Sequence, residues 1–499
     1  MDDNSQTKRT YAFERRLLVL YDVVIIGAGI SGTMCAYMLA KYDLSVAVLE
    51  AGEDIAAGST RANSAIVHAG YDAKEGTLKA LLNVRGCEMM EGIAKSLDVH
   101  YKRCGSLVVG FSSKDREHIE LLKRRGETNG VKELRIIEAD ELHSMEPYVS
   151  KEATCALLAP TAGIVCPYDL AFAVSENAVT NGARFHFDFK VDRIEKTDNG
   201  FAVSAGEKTI KGKYVLNCAG LYCDEVASLA GDPLPFEIIP RRGEYMLLDK
   251  AESFIASRTL FVTPSEKGKG ILVSPTADGN IIVGPNANIV EEKSDTSVTY
   301  EGLDEIAEGA RLITPDINLK ANITSFAGVR PTPSSGDFYI QPSSKIDGLI
   351  HVAGIESPGL ASSPAIGEYV VEILKKCGLK MKKRKNYIKT RSRTGNYKLF
   401  CDMTNEERAE AIEKNPAYAK MICRCENITE GDILNAIHRP IPAHTVDMVK
   451  RRTRSGMGRC QGGFCRTRVA DIISRELDIP LSEIRKFTKN SKILYGKTK

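Results

Sequence analysis

Blocks of apolar and polar positions along this chain read as strand, helix and strand again. Tyr21-Asp-Val-Val-Ile-Ile26 is a compact β-branched run that ends in glycine, which predicts a buried strand. Gly27-Ala-Gly-Ile-Ser-Gly32 follows, and Thr33-Met-Cys-Ala-Tyr-Met-Leu-Ala40 predicts a helix. Leu44-Ser-Val-Ala-Val-Leu49 predicts a second strand, closed by Glu50. Two later segments repeat the strand-then-glycine pattern. They are Tyr214-Val-Leu-Asn-Cys-Ala-Gly220 and Leu349-Ile-His-Val-Ala-Gly354, the latter leading to a helix that runs to about Leu374. Between residues 76 and 350, short strand-like runs alternate with helical ones. Cys104–Gly110, Ala183–Phe189 and Gly270–Ser274 predict strands, and residues 114–125 and 302–312 predict helices. No internal repeat is visible.

Gly27 to Gly32 has the context that a dinucleotide fingerprint requires. Gly27 permits the tight turn, Gly29 lets the backbone approach a pyrophosphate, and Gly32 allows helix and strand to pack closely. The helix start at Ile30 and Ser31 offers unpaired N–H groups and a positive dipole end to phosphates. Glu50 stands where a carboxylate would accept ribose hydroxyls. A strand–helix–strand unit without a nucleotide is the bland alternative, and the acid after the second strand argues against it. FAD fits better than a nicotinamide, because a second phosphate-reading segment, Ser59-Thr60-Arg61-Ala62-Asn63-Ser64, follows soon after Glu50. Val191, Ala219, Gly220, Gly354, Ser357, Gly359 and Leu360 complete the candidate cofactor contacts. The last of these sit at a helix N-terminus that would stabilise negative charge on a flavin. The predicted class is α/β. A Rossmann-like FAD-binding domain carries an inserted α+β substrate domain and is followed by a small helical module.

That module is signalled by cysteine. Of 13 cysteines, four fall as Cys423-Arg-Cys425 and Cys460-Gln-Gly-Gly-Phe-Cys465, with 34 residues between the pairs. Two thiolate pairs on separate turns supply the four sulfurs of a [2Fe–2S] cluster. Zinc is the competing reading, but zinc ligands usually stand two to four residues apart, and Cys-x-Cys is tighter. Thr429-Glu430 predicts a capped helix start, Gly462-Gly463 a loop that wraps the cluster, and Arg466 to Leu477 a closing helix. The other nine cysteines are scattered, as reduced thiols in a cytosol would be.

At 499 residues the chain needs two or three domains. Hydrophobic content of 43% and charged content of 27% are those of a globular protein, and no apolar run reaches membrane-spanning length. Residues 1–19 read as a disordered leader. The net charge of +3 is uninformative, but residues 380–393 hold eight Lys or Arg and no acid, which reads as a solvated linker rather than an anionic docking surface. Arginines 424, 451, 452, 454, 459 and 466 would offset cluster charge and favour an acidic partner. Nucleic-acid binding lacks the interleaved aromatics it would need.

The fingerprint, Ser59 to Tyr71, Arg242-Gly-Glu-Tyr245, Gly328-Val-Arg-Pro331 and Gly354-Ile-Glu-Ser-Pro-Gly-Leu360 resemble the D-amino-acid-oxidase-type flavoproteins. Among these they are most similar to glycerol-3-phosphate dehydrogenases and oxidases, then to L-2-hydroxyglutarate oxidases. Met421 to Leu477 resembles the bacterioferritin-associated-ferredoxin type of [2Fe–2S] domain. The pairing is similar to that of anaerobic glycerol-3-phosphate dehydrogenase large subunits. The resemblance implies an antiparallel sheet roofing the flavin, with His68 as an active-site base and Arg330 facing an anionic substrate. Tyr245 is then a lid or hydroxyl donor. His351, inside an apolar strand, reads as structural. Arg61 could neutralise a pyrophosphate or a substrate phosphate, and Lys267 and Lys269 lie in a Gly-rich loop. Glycerol 3-phosphate is the first expected substrate, a 2-hydroxy acid the second and an amino acid the third. A non-catalytic electron-transfer subunit is the rival of another class. Expected boundaries are 20–375 for the flavin domain, 376–418 for the linker, 419–477 for the cluster domain and 478–499 for a tail. An electron-accepting protein subunit, through which the chain could associate with a membrane, and a cytoplasmic location complete the expectation.

Overall fold

The computed structural model describes residues 20–263, 270–391 and 398–496. The expected leader, Lys267, Lys269, and Arg393 of the basic stretch lie outside the described residues.

The apolar strand Leu20–Ile26 forms the centre of an eight-stranded sheet. It runs parallel to Val46–Leu49 on one side and to Lys208–Asn217 on the other. Leu349–Ala353 extends the sheet in parallel beyond Lys208–Asn217. The helices Ile30–Leu39 and Gly359–Lys376 pack on it, and Leu78–Ser96 packs against the latter. That last contact depends on Gly86, where an added Cβ would lie 2.2 Å from the Ala361 carbonyl oxygen. The strand expected at Ala183–Phe189 forms over Arg184–His186, but it pairs in parallel with Val46–Leu49. It therefore belongs to the nucleotide sheet and not to the inserted part. Alternation alone identifies a strand and leaves its sheet open.

A nine-stranded, mostly antiparallel sheet lies over the first. Its longest ladder joins Ile238–Leu248 to Asn322–Pro333. Period-two alternation along the first of these strands turns Arg241 and Tyr245 into the central cavity and Arg242 and Glu244 away from it. Arg242 and Glu244 form a structural unit instead. Arg242 Nη2 lies 3.2 Å from the fully buried Glu244 carboxylate, which also accepts from the Thr299 N–H at 2.8 Å. Thr299 caps the helix Tyr300–Ile313, so that carboxylate faces the helix's positive end.

The C-terminal region has its own core of Ile433, Ile437, Val449, Val469 and Ile473, carried on the helices Glu430–Ile437, Val446–Thr453 and Arg466–Leu477. Thr429 caps the first with a reciprocal Asp432 bond. The region is docked and not tethered. Arg451 and Arg452 both reach the buried Asp54 at 2.8 Å, and Ile441 joins the core of the flavin-binding part. The described part of the basic stretch is anchored at a few points, while Lys380, Lys382, Lys383, Lys385 and Lys389 are exposed as a solvated linker expects. Lys382 O accepts from Asp43 N at 2.8 Å, Arg384 N donates to Lys41 O, and the buried Arg391 pairs with Glu176 at 2.7 Å. Arg384 and Arg391 meet carboxylates from distant positions, Asp43 at 3.8 Å and Glu176 at 2.7 Å, which a local count of charge does not see. Residues 478–496 also pack, through Ile484 and through backbone bonds from Val446 and Asp447 to Arg485 and Lys486.

Candidate functional site

A cavity of about 1330 Å³ opens between the two sheets. It exceeds a typical small-molecule pocket, roughly 300–1,000 Å³, and suits a dinucleotide with a small substrate. Gly27, Gly29, Ile30, Ser31, Glu50, Ser59, Thr60, Arg61, Asn63, Ser64, Val191, Ala219, Gly220, Ser357, Gly359 and Leu360 all line it, as do His68, Tyr245 and Arg330. Gly32 and Gly354 do not. Gly32 sits behind the wall, where an added Cβ would come 2.0 Å from the Gly27 carbonyl oxygen, so its role is the close packing of helix on strand.

The phosphate-facing end departs from expectation in one respect. The Ile30 N–H is not free, because it donates to Thr60 Oγ1 at 3.0 Å. The second segment therefore buttresses the first, and Ser31 carries the next helical N–H at the cavity wall. Glu50 accepts from Ala28 N and Gly52 N, each at 2.8 Å, and burial raises its pKa. These bonds fix the carboxylate while its remaining lone pairs stay available to hydroxyls. Ser59 Oγ donates to Val329 O at 2.6 Å, tying the segment to the upper sheet. Added Cβ atoms at Gly58 and Gly220 would meet nothing within 4 Å, so glycine keeps that part of the cavity open for a ligand to lie against bare backbone. The residues present thus fit FAD.

The chemistry-bearing side chains meet on the far side. Arg330 Nη2 donates to Asn286 O at 2.7 Å, and its buried Nε has no partner among the described residues. Tyr245 is buried, which raises its pKa, stacks on Phe326 with ring centres 4.9 Å apart, and has its hydroxyl 3.4 Å from Ser64 Oγ. The His68 ring stacks on Phe261 at 5.8 Å, and the His68 carbonyl accepts from Asn83 Nδ2 at 2.7 Å. Arg61 lies at 5.1 Å over the Phe487 ring, which comes from the C-terminal tail. His351 lies outside the cavity, bonded to Asp232 at 3.0 Å. Sequence reasoning missed Asn286 and Phe261. A polar residue just past the apolar strand Ile281–Gly284 was the available signal for the first, and Phe261 carried none.

The four tail cysteines form two pairs. Cys425 Sγ and Cys460 Sγ are 3.9 Å apart. Cys423 and Cys465 share a hydrogen bond, which lowers the Cys423 pKa to about 6 and raises that of Cys465. Among the described residues, no three His, Cys, Asp or Glu side chains converge on one point. One sulfur pair per metal fits a two-iron cluster.

Comparison with known proteins agrees with both halves. Residues 22–373 match the family FAD dependent oxidoreductase, and residues 421–475 match the BFD-like [2Fe-2S] binding domain. The chain belongs to the FAD-dependent oxidoreductase family and carries sites for FAD and for a [2Fe–2S] cluster. Among its relatives, a glycerol 3-phosphate dehydrogenase of Caloramator mitchellensis is 44% identical over 96% of this chain and 99% of that one. The FAD-bound, dithionite-reduced L-α-glycerophosphate oxidase of Mycoplasma pneumoniae superposes with a TM-score of 0.70 at 29% identity, covering 74% of this chain and 98% of that one. An L-2-hydroxyglutarate dehydrogenase of Bos taurus is 32% identical over 54% of this chain and 61% of its own length.

Proposed function

We propose that this chain oxidises glycerol 3-phosphate to dihydroxyacetone phosphate and passes the electrons through its C-terminal cluster to an acceptor protein. Arg330 carries the reading. It is a cation in the cavity wall that bonds a carbonyl and, among the described residues, has no carboxylate partner and keeps a buried N–H unsatisfied. Leaving such a donor unpaired is costly, and an anionic substrate group would satisfy it. A phosphate suits the planar guanidinium fork, and the full-length likeness to a glycerol 3-phosphate dehydrogenase supports phosphate over carboxylate.

In this reading the Arg330 fork holds the phosphate and so fixes the adjacent carbinol in one orientation. His68, held in place by Phe261 and Asn83, takes the hydroxyl proton. Tyr245 stays protonated and donates to a substrate oxygen. The N-terminus of Gly359–Lys376 presents its positive end to the cavity, and Glu50 and Ser31 hold the cofactor's ribose and pyrophosphate. When bound, FAD accepts the two electrons taken from the carbinol carbon and the cluster releases them one at a time. We infer a cytoplasmic enzyme working with an acceptor subunit; among the described residues, no helix is long and apolar enough to cross a membrane. Residues 20–375 and 419–477 are its two working parts, and 376–418 joins them.

Turnover with a dye acceptor on glycerol 3-phosphate, glycerol and L-2-hydroxyglutarate tests this. Glycerol 3-phosphate should exceed glycerol by at least about 10²-fold in kcat/KM, as expected when a buried charge loses its partner. Equal rates on the two would remove the phosphate anchor. Activity on 2-hydroxyglutarate alone would place a carboxylate on Arg330.

A further inference from the structure

The cluster site is lopsided. Cys423 and Cys465 are buried, whereas Cys425 is exposed and Cys460 half-exposed. On the open side stands Phe464, inside the ligand loop Cys460–Cys465 and 83% exposed. Arg424 directly precedes the exposed Cys425, and Arg466 and Arg468 directly follow the ligand loop; all three are exposed, and none has a carboxylate partner among the described residues. Arg466 and Arg468 bond backbone carbonyls, of Gln461 and Met421. Arg459, on the same loop, is neutralised by Asp249. An exposed aromatic in a ligand loop, with exposed arginines that meet no carboxylate adjoining both cysteine segments, has the composition of an interface centre and not of ordinary surface.

We propose that this open edge is the docking face for an acidic one-electron carrier protein, with Phe464 as its apolar contact and Arg424, Arg466 and Arg468 as its steering charges. The proposal rests on the reading that electrons leave through the cluster. The uncompensated positive charge selects an acidic partner, since complementary potentials raise encounter rates and like charges suppress them. The exposed Cys425 and Cys460 place the cluster's nearest surface under that partner, where the tunnelling path is shortest. Each event moves one electron from the reduced cluster to the carrier and transfers no atom. Two carriers are therefore reduced for each substrate oxidised. The arginines also offset thiolate charge, so charge variants alone do not separate docking from tuning. Phe464 is uncharged and does separate them.

The test uses holoenzyme reduced photochemically, without substrate, and mixed in a stopped-flow instrument with oxidised cytochrome b5, a small acidic carrier, or cytochrome c, a small basic one. Cytochrome b5 should be reduced about tenfold faster at low salt, despite its smaller driving force, and should lose about tenfold as salt screens the charges. Phe464→Ala should slow cytochrome b5 reduction about five- to tenfold while the cluster spectrum is unchanged. Arg468→Glu should lower the rate and flatten its salt dependence. A preference for cytochrome c, a salt-independent rate, or wild-type transfer by Phe464→Ala would overturn the docking face. If Phe464→Ala fails to hold a cluster, the carrier and salt comparisons on the unaltered enzyme still decide. Failure of glycerol 3-phosphate to bleach the flavin would count against the substrate reading alone, because the electrons here come from light.

Discussion

The flavin cavity and the cluster-bearing tail are held by different kinds of contact. The cavity is framed by apolar strands in a parallel ladder, such as Val23–Ile26 beside Val46–Leu49, with backbone turns between them. The tail is pinned by buried ion pairs between residues far apart in the chain. Asp54 and Arg452 are separated by 398 positions and meet at 2.8 Å. Burial alone would raise the Asp54 pKa, but Arg452 and Arg451 outweigh it and hold it below the ordinary 3.8. Asp54 follows Glu50 by four residues and Arg61 stacks on Phe487, so the docked tail and the cofactor-binding loop share one scaffold. A bound cluster would thus keep a set position relative to a bound flavin.

The largest expected effect strikes the cavity alone. His68→Gln should lower substrate-driven flavin reduction by about 10²–10⁴-fold, with FAD content unchanged, as loss of a general base does. Rapid-scanning absorbance after anaerobic mixing measures it, and a loss under threefold would leave His68 structural. Next comes the tail. Asp54→Asn leaves two arginines buried with a neutral partner and should cost about 3–5 kcal/mol. Denaturant unfolding followed by cluster and flavin absorbance reads this out, and a cost below about 1 kcal/mol would mean that the pair does not pin the tail.

Cys460→Ser asks whether the two regions are chemically separable. It should remove the roughly two irons of a [2Fe–2S] centre yet leave flavin bleaching by substrate within about threefold. Arg330→Lys should raise KM about tenfold or more and lower kcat less, because a point charge replaces the two-toothed fork. Steady-state kinetics on glycerol 3-phosphate would expose the opposite split.

The smallest effect is one of pH. His100 bridges Asp278 at 3.1 Å and Asp402 at 3.2 Å, and these bonds, Asp278 first, raise its pKa to about 10. A group whose folded pKa is raised contributes its full stabilisation below the unfolded value of about 6.5 and loses it as pH climbs toward 10. Thermal unfolding of the wild type should therefore decline more steeply over that window than that of His100→Gln. Parallel curves would show that His100 adds nothing to the junction.

Much of the cavity was legible because its signals are local. Gly27, Gly29 and Glu50 sit within one strand–helix–strand unit, and Ser59 to Ser64 follow directly. The exceptions arise where side chains complete the work across distance. Thr60 takes the Ile30 N–H from 30 positions away, and Glu244 is held by Arg242 and Thr299 instead of facing the cavity. The tail's helices, its cap at Thr429 and its four cysteines were legible for the same local reason, but their pairing was not, since Cys425 meets Cys460 and Cys423 meets Cys465 across 35 and 42 positions. Its docking was not, because Asp54, Asp278 and Glu176 carry no mark of the arginines they neutralise.

One titration tests the central claim most directly. Holoenzyme held under argon is titrated with glycerol 3-phosphate while flavin absorbance and the electron paramagnetic signal of the cluster are followed in the same sample. The account predicts that glycerol 3-phosphate bleaches the flavin and brings up the reduced-cluster signal, complete at about one and a half equivalents because FAD takes two electrons and the cluster one, while glycerol does neither. Bleaching by glycerol to the same extent, or a cluster that stays oxidised when the flavin is reduced, would contradict it.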